Sequence, residues 1–448
     1  MQSLGVSVTA AALRRRRFPP AALFDLDFRR DRYSLNGVPQ SFGGLLDYGA
    51  SGPATFHNAA GSLVWSAHNL VISSETPATQ SVTVTAGAAY TVAVTGSGSV
   101  ALSGAGTGTA TEGSPAVITA GSSSLTLTVS GTVSRMWAYR SDLGGMADNP
   151  DNTLGAGFET YVPTAAAAVF KPRRNAYVNG APAGLLLESE ARTNLLLNSA
   201  ALSTQSVTTA AAPHTLHFTG TGSVALSGAA AAGPLAGTGA NDRVSLTFTP
   251  AAGTLTLTVS GSVTLAQLEQ GSTQSSYIPA FGSPAARAAE TLALPAAALP
   301  SVMPGAVSFA LNGSMTYADE NASAAVDFCT WLEGGANSIR VLLDTEADET
   351  GSLRVRQEAL NVLDSATSAP DAFAPGTHVP FSIASRHGAA FVQGAYGGTG
   401  LTGSGTPSAL PDLINEDIAI GQAFTGSIGR FRMWDGDLGS TGIAKVTA

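Results

Sequence analysis

Cysteine, lysine and long apolar runs are scarce in this 448-residue chain. The single cysteine, Cys329, cannot form a disulfide within the chain, so stability must come from buried cores. Only two lysines occur, Lys171 and Lys445, and the net charge is −9. Outside its basic N-terminal residues 1–32, this mildly acidic chain lacks the clustered cations that phosphate contacts need, and no apolar stretch is long enough to span a bilayer. We therefore expect no nucleic-acid partner and no membrane insertion.

Common catalytic motifs are also missing. The sequence contains no Gly-x-Ser-x-Gly, no His-Glu-x-x-His and no phosphate-loop Gly-Lys pair. His214 and His217 are the one close pair of histidines, and in a strand a spacing of three points them to opposite faces rather than to one metal ion. The expectation is a protein that is not an enzyme and carries no cofactor, apart from the calcium hypothesis below.

What the chain does have is an internal repeat of β-type sequence. Leu125, Leu127 and Val129 alternate with hydroxyl residues, which predicts a strand with one dry face. Two copies of such a module, each made of short strands, indicate a protein that displays a surface or binds a partner, rather than a catalyst. The repeated words are NLVISSETPATQSV (Asn69–Val82) with NLLLNSAALSTQSV (Asn194–Val207), GSGSVALSG (Gly96–Gly104) with GTGSVALSG (Gly220–Gly228), and LTLTVSGTV from Leu125 with LTLTVSGSV from Leu255.

The predicted fold class is all-β, with tandem jelly-roll or β-sandwich domains. Helical periodicity is poor throughout, whereas Asn36-Gly37 and Asn179-Gly180 are strong hairpin-turn signals because both residues tolerate a positive φ. The expected order is an N-terminal attachment arm with a small β-element (1–62), a first sandwich (63–140), a connector (141–184), a second, related sandwich (185–283), an Ala/Pro linker (284–304) and a C-terminal β-domain (305–448).

The N-terminal region is basic although the whole chain is acidic. Residues 1–32 contain seven arginines against three aspartates. Three interpretations remain open: a solvated arm, a peptide that docks into a larger assembly, and a contact with nucleic acid or anionic lipid. We favour docking, through Arg14, Arg15, Arg16 and Arg17.

Two groups in the C-terminal region are candidates for a binding site. Sugars stack their apolar faces on exposed aromatic rings beside carboxylates, although tryptophans in alternating strands are more often core residues. The sugar-site candidates are Trp331, Trp434, Asp435 and Asp437.

The second group is an acidic loop, DTEADET, between two alternating strands. Its simplest interpretation is a solvated hairpin loop, and the alternative is a calcium site, since hard cations prefer several carboxylate oxygens. The candidate calcium ligands are Asp344, Glu346 and Asp348.

Several longer segments resemble known families. GLLLESEARTNLLLNS (Gly184–Ser199) and the run that follows it to Tyr-Ile-Pro279 resemble structural proteins of tailed bacteriophages, in which similar segments form carbohydrate-binding-module-like sandwiches of tail fibres. LFDLDFRRDRYSLNG resembles the element that often precedes them. PFSIASRHGAAFVQG and DIAIGQAFTGSIGRFRMWDGDLG resemble the closing strands of laminin-G or concanavalin-like lectin folds, with Arg386-His387-Gly388 in place of the usual Tyr-Asp-Gly turn.

These resemblances imply a function. The expectation is a structural protein on the surface of a phage or phage-like particle, a tail-fibre-like appendage that ends in a lectin-like sandwich. Such a protein contacts other virion proteins through its N-terminal region, forms a homo-oligomer, with a trimer favoured, and adsorbs to host polysaccharide through many weak contacts. The alternative is a purely architectural protein, such as a capsid decoration, head fibre or fibre shaft, that binds no glycan.

Overall fold

The structure, a computed structural model, describes residues 19–319, 325–346, 350–401 and 405–448. Almost every regular element in these ranges is an antiparallel β-strand, which confirms the all-β prediction. The same ranges contain no helix with the length and hydrophobicity to cross a membrane. Two sets of predicted site residues lie outside the described ranges: the docking residues Arg14–Arg17, and Asp348, one of the three candidate calcium ligands.

The elements in the first half of the chain are these. Before and around the first repeat they are β1 (Phe24–Asp27), β2 (Arg32–Leu35), β3 (Val38–Gln40), α1 (Phe42–Leu45), β4 (Asp47–Gly49), β5 (Thr55–His57), β6 (Leu63–Trp65), β7 (His68–Asn69), β8 (Gln80–Thr83), β9 (Ala89–Thr95), β10 (Ser99–Gly104), β11 (Gly108–Thr111), β12 (Ala116–Thr119), β13 (Ser124–Ser130), β14 (Arg135–Arg140) and β15 (Val169–Phe170). The hairpin β16 (Arg173–Val178) and β17 (Ala181–Glu188) follows.

The second half contains the other repeat and the C-terminal strands. The second repeat comprises β18 (Arg192–Asn194), β19 (Gln205–Thr209), β20 (His214–Gly220), β21 (Ser223–Gly228), β22 (Ala232–Ala236), β23 (Gly239–Phe248), β24 (Gly253–Ser260), β25 (Val263–Gln270) and β26 (Ala285–Arg287). The remaining elements are β27 (Thr291–Leu294), a 3-10 turn (Ala296–Ala298), β28 (Ala306–Tyr317), β29 (Ala325–Glu333), β30 (Asn337–Asp344), β31 (Ser352–Ala359), β32 (Val362–Thr367), β33 (Gly376–Gly388), β34 (Phe391–Tyr396), β35 (Thr399–Gly400), β36 (Ile418–Gln422), β37 (Thr425–Trp434) and α2 (Ser440–Thr447).

A large sandwich of two sheets combines both ends of the chain. One sheet has the order β3-β2-β1-β37-β28-β33-β34-β35, and β17 also pairs with β37. The facing sheet has the order β32-β31-β30-β29-β36-β27-β4. Phe24 of β1 lies opposite Met433 of β37, and both side chains are buried in the core between the sheets. The small β-element expected within an N-terminal arm (1–62) is therefore part of the sandwich that the sequence assigned to residues 305–448.

The two repeats are insertions into this sandwich. The chain leaves the sandwich after β4, builds the first module, returns as the hairpin β16–β17, builds the second module and returns again at β27. The predicted connector (141–184) and linker (284–304) thus supply strands β16, β17 and β27 to the large sandwich. Asn179-Gly180 forms the turn between β16 and β17 with positive φ at both residues, as the sequence predicted.

Each module packs a four-stranded sheet on a three-stranded sheet, and one buried asparagine joins its segments. Asn69 does so in the first module and Asn194 in the second, and in each case Nδ2 donates to two backbone carbonyls while Oδ1 accepts from two backbone amides. Because one acceptor for Asn69 is the carbonyl of Val162, the first module extends beyond its predicted end at residue 140.

A buried ionic cluster holds the hairpin β16–β17 between the modules. Arg173, which is completely buried, lies with Nη1 2.8 Å from Glu188 Oε2 and donates from Nη2 to Glu290 Oε2 at 2.5 Å. The same guanidinium donates to the carbonyl of Thr55 and to the hydroxyl of Ser276. Arg287 supplies the second cation, with Nε 3.3 Å from Glu188 Oε2. Two arginines and two glutamates therefore form a neutral cluster at the point where the modules join the sandwich.

Replacing the central cation should destabilise this junction. We expect Arg173→Met to lower the free energy of unfolding of the large-sandwich transition by about 3–5 kcal/mol, because it leaves the buried Glu290 carboxylate without its cation and Glu188 with Arg287 alone. The control is Arg30→Met, whose pair with Asp27 is largely exposed on the arginine side and should contribute at most about 1 kcal/mol. Urea titration followed by tryptophan fluorescence measures both. A loss no larger for Arg173→Met than for the control would contradict a stabilising role for the cluster.

Deleting the N-terminal strands should unfold the large sandwich. Removal of residues 1–40 takes five buried apolar side chains out of its core, each contributing about 1.5–3 kcal/mol, so that the summed loss is comparable to the whole stability of a typical domain. Removal of residues 1–18, which leaves β1–β3 and these side chains in place, is the comparison variant. Calorimetry distinguishes these cases, and a 1–40 deletion that retains the sandwich transition would show that β1–β3 are dispensable. The five side chains are Leu23, Phe24, Leu26, Phe28 and Tyr33.

Candidate functional site

The structure buries both tryptophans that the sequence proposed as sugar platforms. Trp331 is completely inaccessible, and its Nε1 donates to the carbonyl of Glu416. Trp434 is 2% exposed beneath α2, where it packs beside Ile443 and donates to the carbonyl of Pro20. The two rings lie in different sheets and neither presents a face to solvent. Stacking of a sugar on either ring is therefore excluded in this structure, because strand pairing directs both side chains into packed layers.

The two aspartates proposed beside Trp434 do lie at the surface. Asp435 is exposed, whereas Asp437 pairs with Arg386, with 2.7 Å between Oδ2 and Nη1, and accepts from the amide of Gly439. Without an accessible ring beside them, these carboxylates do not form the arrangement predicted from the sequence.

The candidate calcium loop is only partly described. Asp344 is buried, with one carboxylate oxygen 2.9 Å from Arg354 Nη2 and the other accepting from the amide of Glu346. Among residues 19–319, 325–346, 350–401 and 405–448, no group of three or more His, Cys, Asp or Glu side chains could hold a metal ion. Since Asp348 lies outside these ranges, calcium binding at Asp344, Glu346 and Asp348 stays a prediction.

A groove of about 350 Å³ lies where the first module meets the hairpin β16–β17. Its volume is within the usual range of small-ligand sites. Phe56 of β5, Ala67, Ala147 and Pro172 make its apolar surface, and Tyr177 of β16 adds a half-buried aromatic ring. The groove is thus shaped by segments from three separate parts of the chain.

A distortion of β16 directs side chains into this groove. The pairing of β16 with β17 shifts register between Arg173 and Ala176, and Asn175, within the shift, adopts φ +59°. Register shifts of this kind redirect side chains and recur next to functional sites, and a non-glycine residue with positive φ is uncommon. Here the shift lets Arg173 point to the ionic cluster while Asn175 and Tyr177 line the groove.

Arg174 forms a rigid wall of the groove. Its side chain is 2% exposed, Nη1 lies 3.0 Å from Asp31 Oδ1, and Nη2 contacts Asp151. The guanidinium also lies over the ring of Phe42, 5.0 Å from its centroid. These carboxylates outweigh the opposing effect of burial and raise the pKa of Arg174 above its usual value. The side chain therefore stays charged but is already neutralised by its partners.

The accessible polar groups of the groove suit a ligand rich in hydroxyls. Asn58 uses Oδ1 to accept from the amides of Ala60 and Ser62, and within the described chain its Nδ2 has no partner. Asn175 and Asp148 are exposed at the rim and add an amide and a carboxylate. An aromatic ring flanked by amide donors and a carboxylate acceptor can hold the apolar face and the hydroxyl edge of one sugar ring.

A second cavity, of about 420 Å³, is a weaker candidate. It lies between the second module and the large sandwich, where Glu190 and Arg192 pair with each other at 2.6 Å. Its aromatic residue, Tyr317, is 3% exposed and cannot offer a ring face. The described lining of this cavity therefore lacks a stacking platform.

Sequence reasoning missed the groove because it treated residues 141–184 as a connector. The segment VFKPRRNAYV (169–178) does not alternate between apolar and polar residues, so it gave no signal for a strand or for a bulge within it. The proximity of Asn58 and Asp148 to this segment had no signal in the sequence, since it depends on how the inserted module packs.

Comparisons with known proteins give limited information. No protein-family model and no curated protein sequence matches the chain. Solved structures with partial similarity include a leech intramolecular trans-sialidase (12% identity over 33% of this chain and 23% of that one, TM-score 0.26) and the Ruminococcus gnavus IT-sialidase CBM40 (11% identity, 33% and 84%, TM-score 0.26). Domain 4 of the Geobacillus stearothermophilus arabinanase AbnA, solved with arabinotriose, shows 15% identity over 36% of this chain and 73% of that one, with a TM-score of 0.27. This chain thus spans less than a quarter of the leech enzyme, and scores of this size define neither a family nor an activity for it.

The left-handed conformation of Asn175 is directly testable. We expect Asn175→Gly to keep the melting temperature at or above that of the unmodified protein, because glycine adopts positive φ without strain. Asn175→Ala should lower the free energy of unfolding by about 1 kcal/mol, because alanine has no side-chain amide to hydrogen-bond locally and so tolerates a positive φ poorly. Thermal unfolding of both variants gives the comparison, and equal stability of the two would contradict the backbone geometry described for β16.

Proposed function

We propose that this protein is a carbohydrate-binding, all-β structural protein of a tailed phage or phage-like particle. We further propose that it attaches to host surface polysaccharide through the groove between the first module and the hairpin β16–β17, named the Tyr177 groove after its aromatic ring. The observation that carries the glycan-binding part is the arrangement of Tyr177, Asn58, Asn175 and Asp148 around one groove of single-sugar size. The particle assignment is supported by the resemblance of Gly184–Ser199 and the following run to phage structural proteins.

Binding without hydrolysis fits the chemistry of the groove. Glycoside hydrolysis generally uses two carboxyl groups that flank the scissile bond. Asp148 carries the one carboxylate among the lining residues that the structure describes, and the nearby carboxylates of Asp31 and Asp151 are held by Arg174. We therefore propose a binding role and not an enzymatic one.

We propose that several copies of the protein are displayed on each particle. A shallow groove that holds one sugar ring binds weakly, and many copies on one particle convert weak contacts into firm attachment. The proposed assembly is a homo-oligomer, with a trimer favoured, that joins other virion proteins through its N-terminal region.

Glycan binding by the full chain tests the proposal. We expect saturable binding to some members of an array that carries both neutral and acidic oligosaccharides, and Tyr177→Ala should weaken that binding at least tenfold, or about 1.4 kcal/mol, by removing the stacking ring. Tyr139→Ala, which removes a half-buried tyrosine on β14 outside the groove, is the matched control and should bind like the unmodified protein.

Two outcomes would contradict glycan binding at this groove. One is full affinity in the folded Tyr177→Ala variant. The other is the absence of saturable binding to any glycan by the unmodified chain, which would favour the architectural role, with the two modules acting as spacers.

A further inference from the structure

We infer that the Tyr177 groove selects uncharged sugar rings and rejects rings that carry a carboxylate. This inference rests on the proposed function and adds the class of ligand. Carboxylate-bearing glycans are recognised most effectively by an accessible guanidinium, which binds both carboxylate oxygens at once. The question is therefore whether the groove offers such a cation.

The cation that lines the groove is not accessible to a ligand. Asp31 and Asp151 occupy the two terminal nitrogens of Arg174, and Phe42 covers one face of its guanidinium. The remaining nitrogen, Nε, is buried and has no hydrogen-bond partner, so it too is out of reach of a ligand in solution. Among the described residues that line the groove, an acidic sugar would therefore find no free guanidinium to pair with.

The charges around the groove also disfavour an anion. Lys171 is bound to Asp151, with 2.9 Å between Nζ and Oδ2. Burial opposes ionisation of Asp151, but Lys171 and Arg174 lower the pKa of its carboxyl below the usual value, so it is charged at neutral pH. Asp31 pairs with Arg174, and Asp151 pairs with both Arg174 and Lys171. The one carboxylate among the described lining residues belongs to Asp148 at the rim, which forms no ion pair within the described chain.

The same groups favour hydroxyls. An ionised carboxylate is acceptor-only, so Asp148 can accept from two neighbouring hydroxyls of a sugar. The amides of Asn58 and Asn175 can donate to hydroxyl oxygens, and Tyr177 supplies the apolar contact. Every accessible group of the site thus has a counterpart on a neutral hexose, whereas a uronic or sialic acid would bring its carboxylate towards Asp148.

The experiment compares two pairs of glycans, each with one neutral and one carboxylate-bearing member. Full-length protein is titrated with lactose and 3′-sialyllactose, and with a galactose trimer and a galacturonate trimer, at about physiological ionic strength. We expect the neutral member of each pair to bind at least tenfold more tightly, and Asp148→Asn to reduce that preference to threefold or less by removing the repulsion. Asp242→Asn, an exposed aspartate of the second module that does not line the groove, is the matched control and should leave the preference unchanged.

The outcomes separate this inference from the proposed function. If the acidic members bind as tightly as the neutral ones or more tightly, and Tyr177→Ala abolishes that binding, the groove binds glycans but the inference is wrong. If the preference persists unchanged in Asp148→Asn, its electrostatic origin is also wrong. If no glycan on the array or in either pair binds in a Tyr177-dependent way, the proposed function fails and the inference fails with it.

Discussion

The buried pairing of Arg173 with Glu188 and Glu290 is the interaction on which the arrangement of the whole molecule depends. A guanidinium can be buried only when its charge and donors are matched, and here the carboxylates are joined by acceptors from both inserted modules, the carbonyl of Thr55 and the hydroxyl of Ser276. The cluster therefore fixes the hairpin β16–β17 relative to both modules. Because the groove lies on the other side of β16, its shape depends on the same contacts.

The two modules contain the same local hydrogen-bond pattern at two places in the chain. Asn69 and Asn194 make equivalent sets of backbone hydrogen bonds in the two sandwiches, so the duplicated sequence folds in the same way twice. Their surroundings differ, however, because the modules leave the large sandwich at different places. The first module supplies Phe56 and Asn58 to the groove, whereas the described lining of the cavity beside the second module contains no accessible aromatic ring.

The proposed ligand class follows from the pairing of charged side chains on the two sides of β16. Arg173 and Arg174 are both buried and both paired with carboxylates, so they stabilise the junction and offer no accessible cation to a ligand among the described residues of the groove. What remains accessible is a ring, two amides and the Asp148 carboxylate, which together match hydroxyls better than anions. A site of this kind binds weakly, which suits a protein that acts in many copies.

The sequence by itself determined the local features: the all-β class, the duplicated module and the turns at Asn36-Gly37 and Asn179-Gly180. Alternation and turn preference are properties of a few neighbouring residues, so they are readable from the chain. Only the tertiary structure decided that β1 pairs with β37, that Trp331 is buried, and that Tyr177 meets Asn58 in a groove. Those outcomes depend on contacts between segments far apart in the chain, and alternation marks two faces of a strand without specifying which partner covers each face.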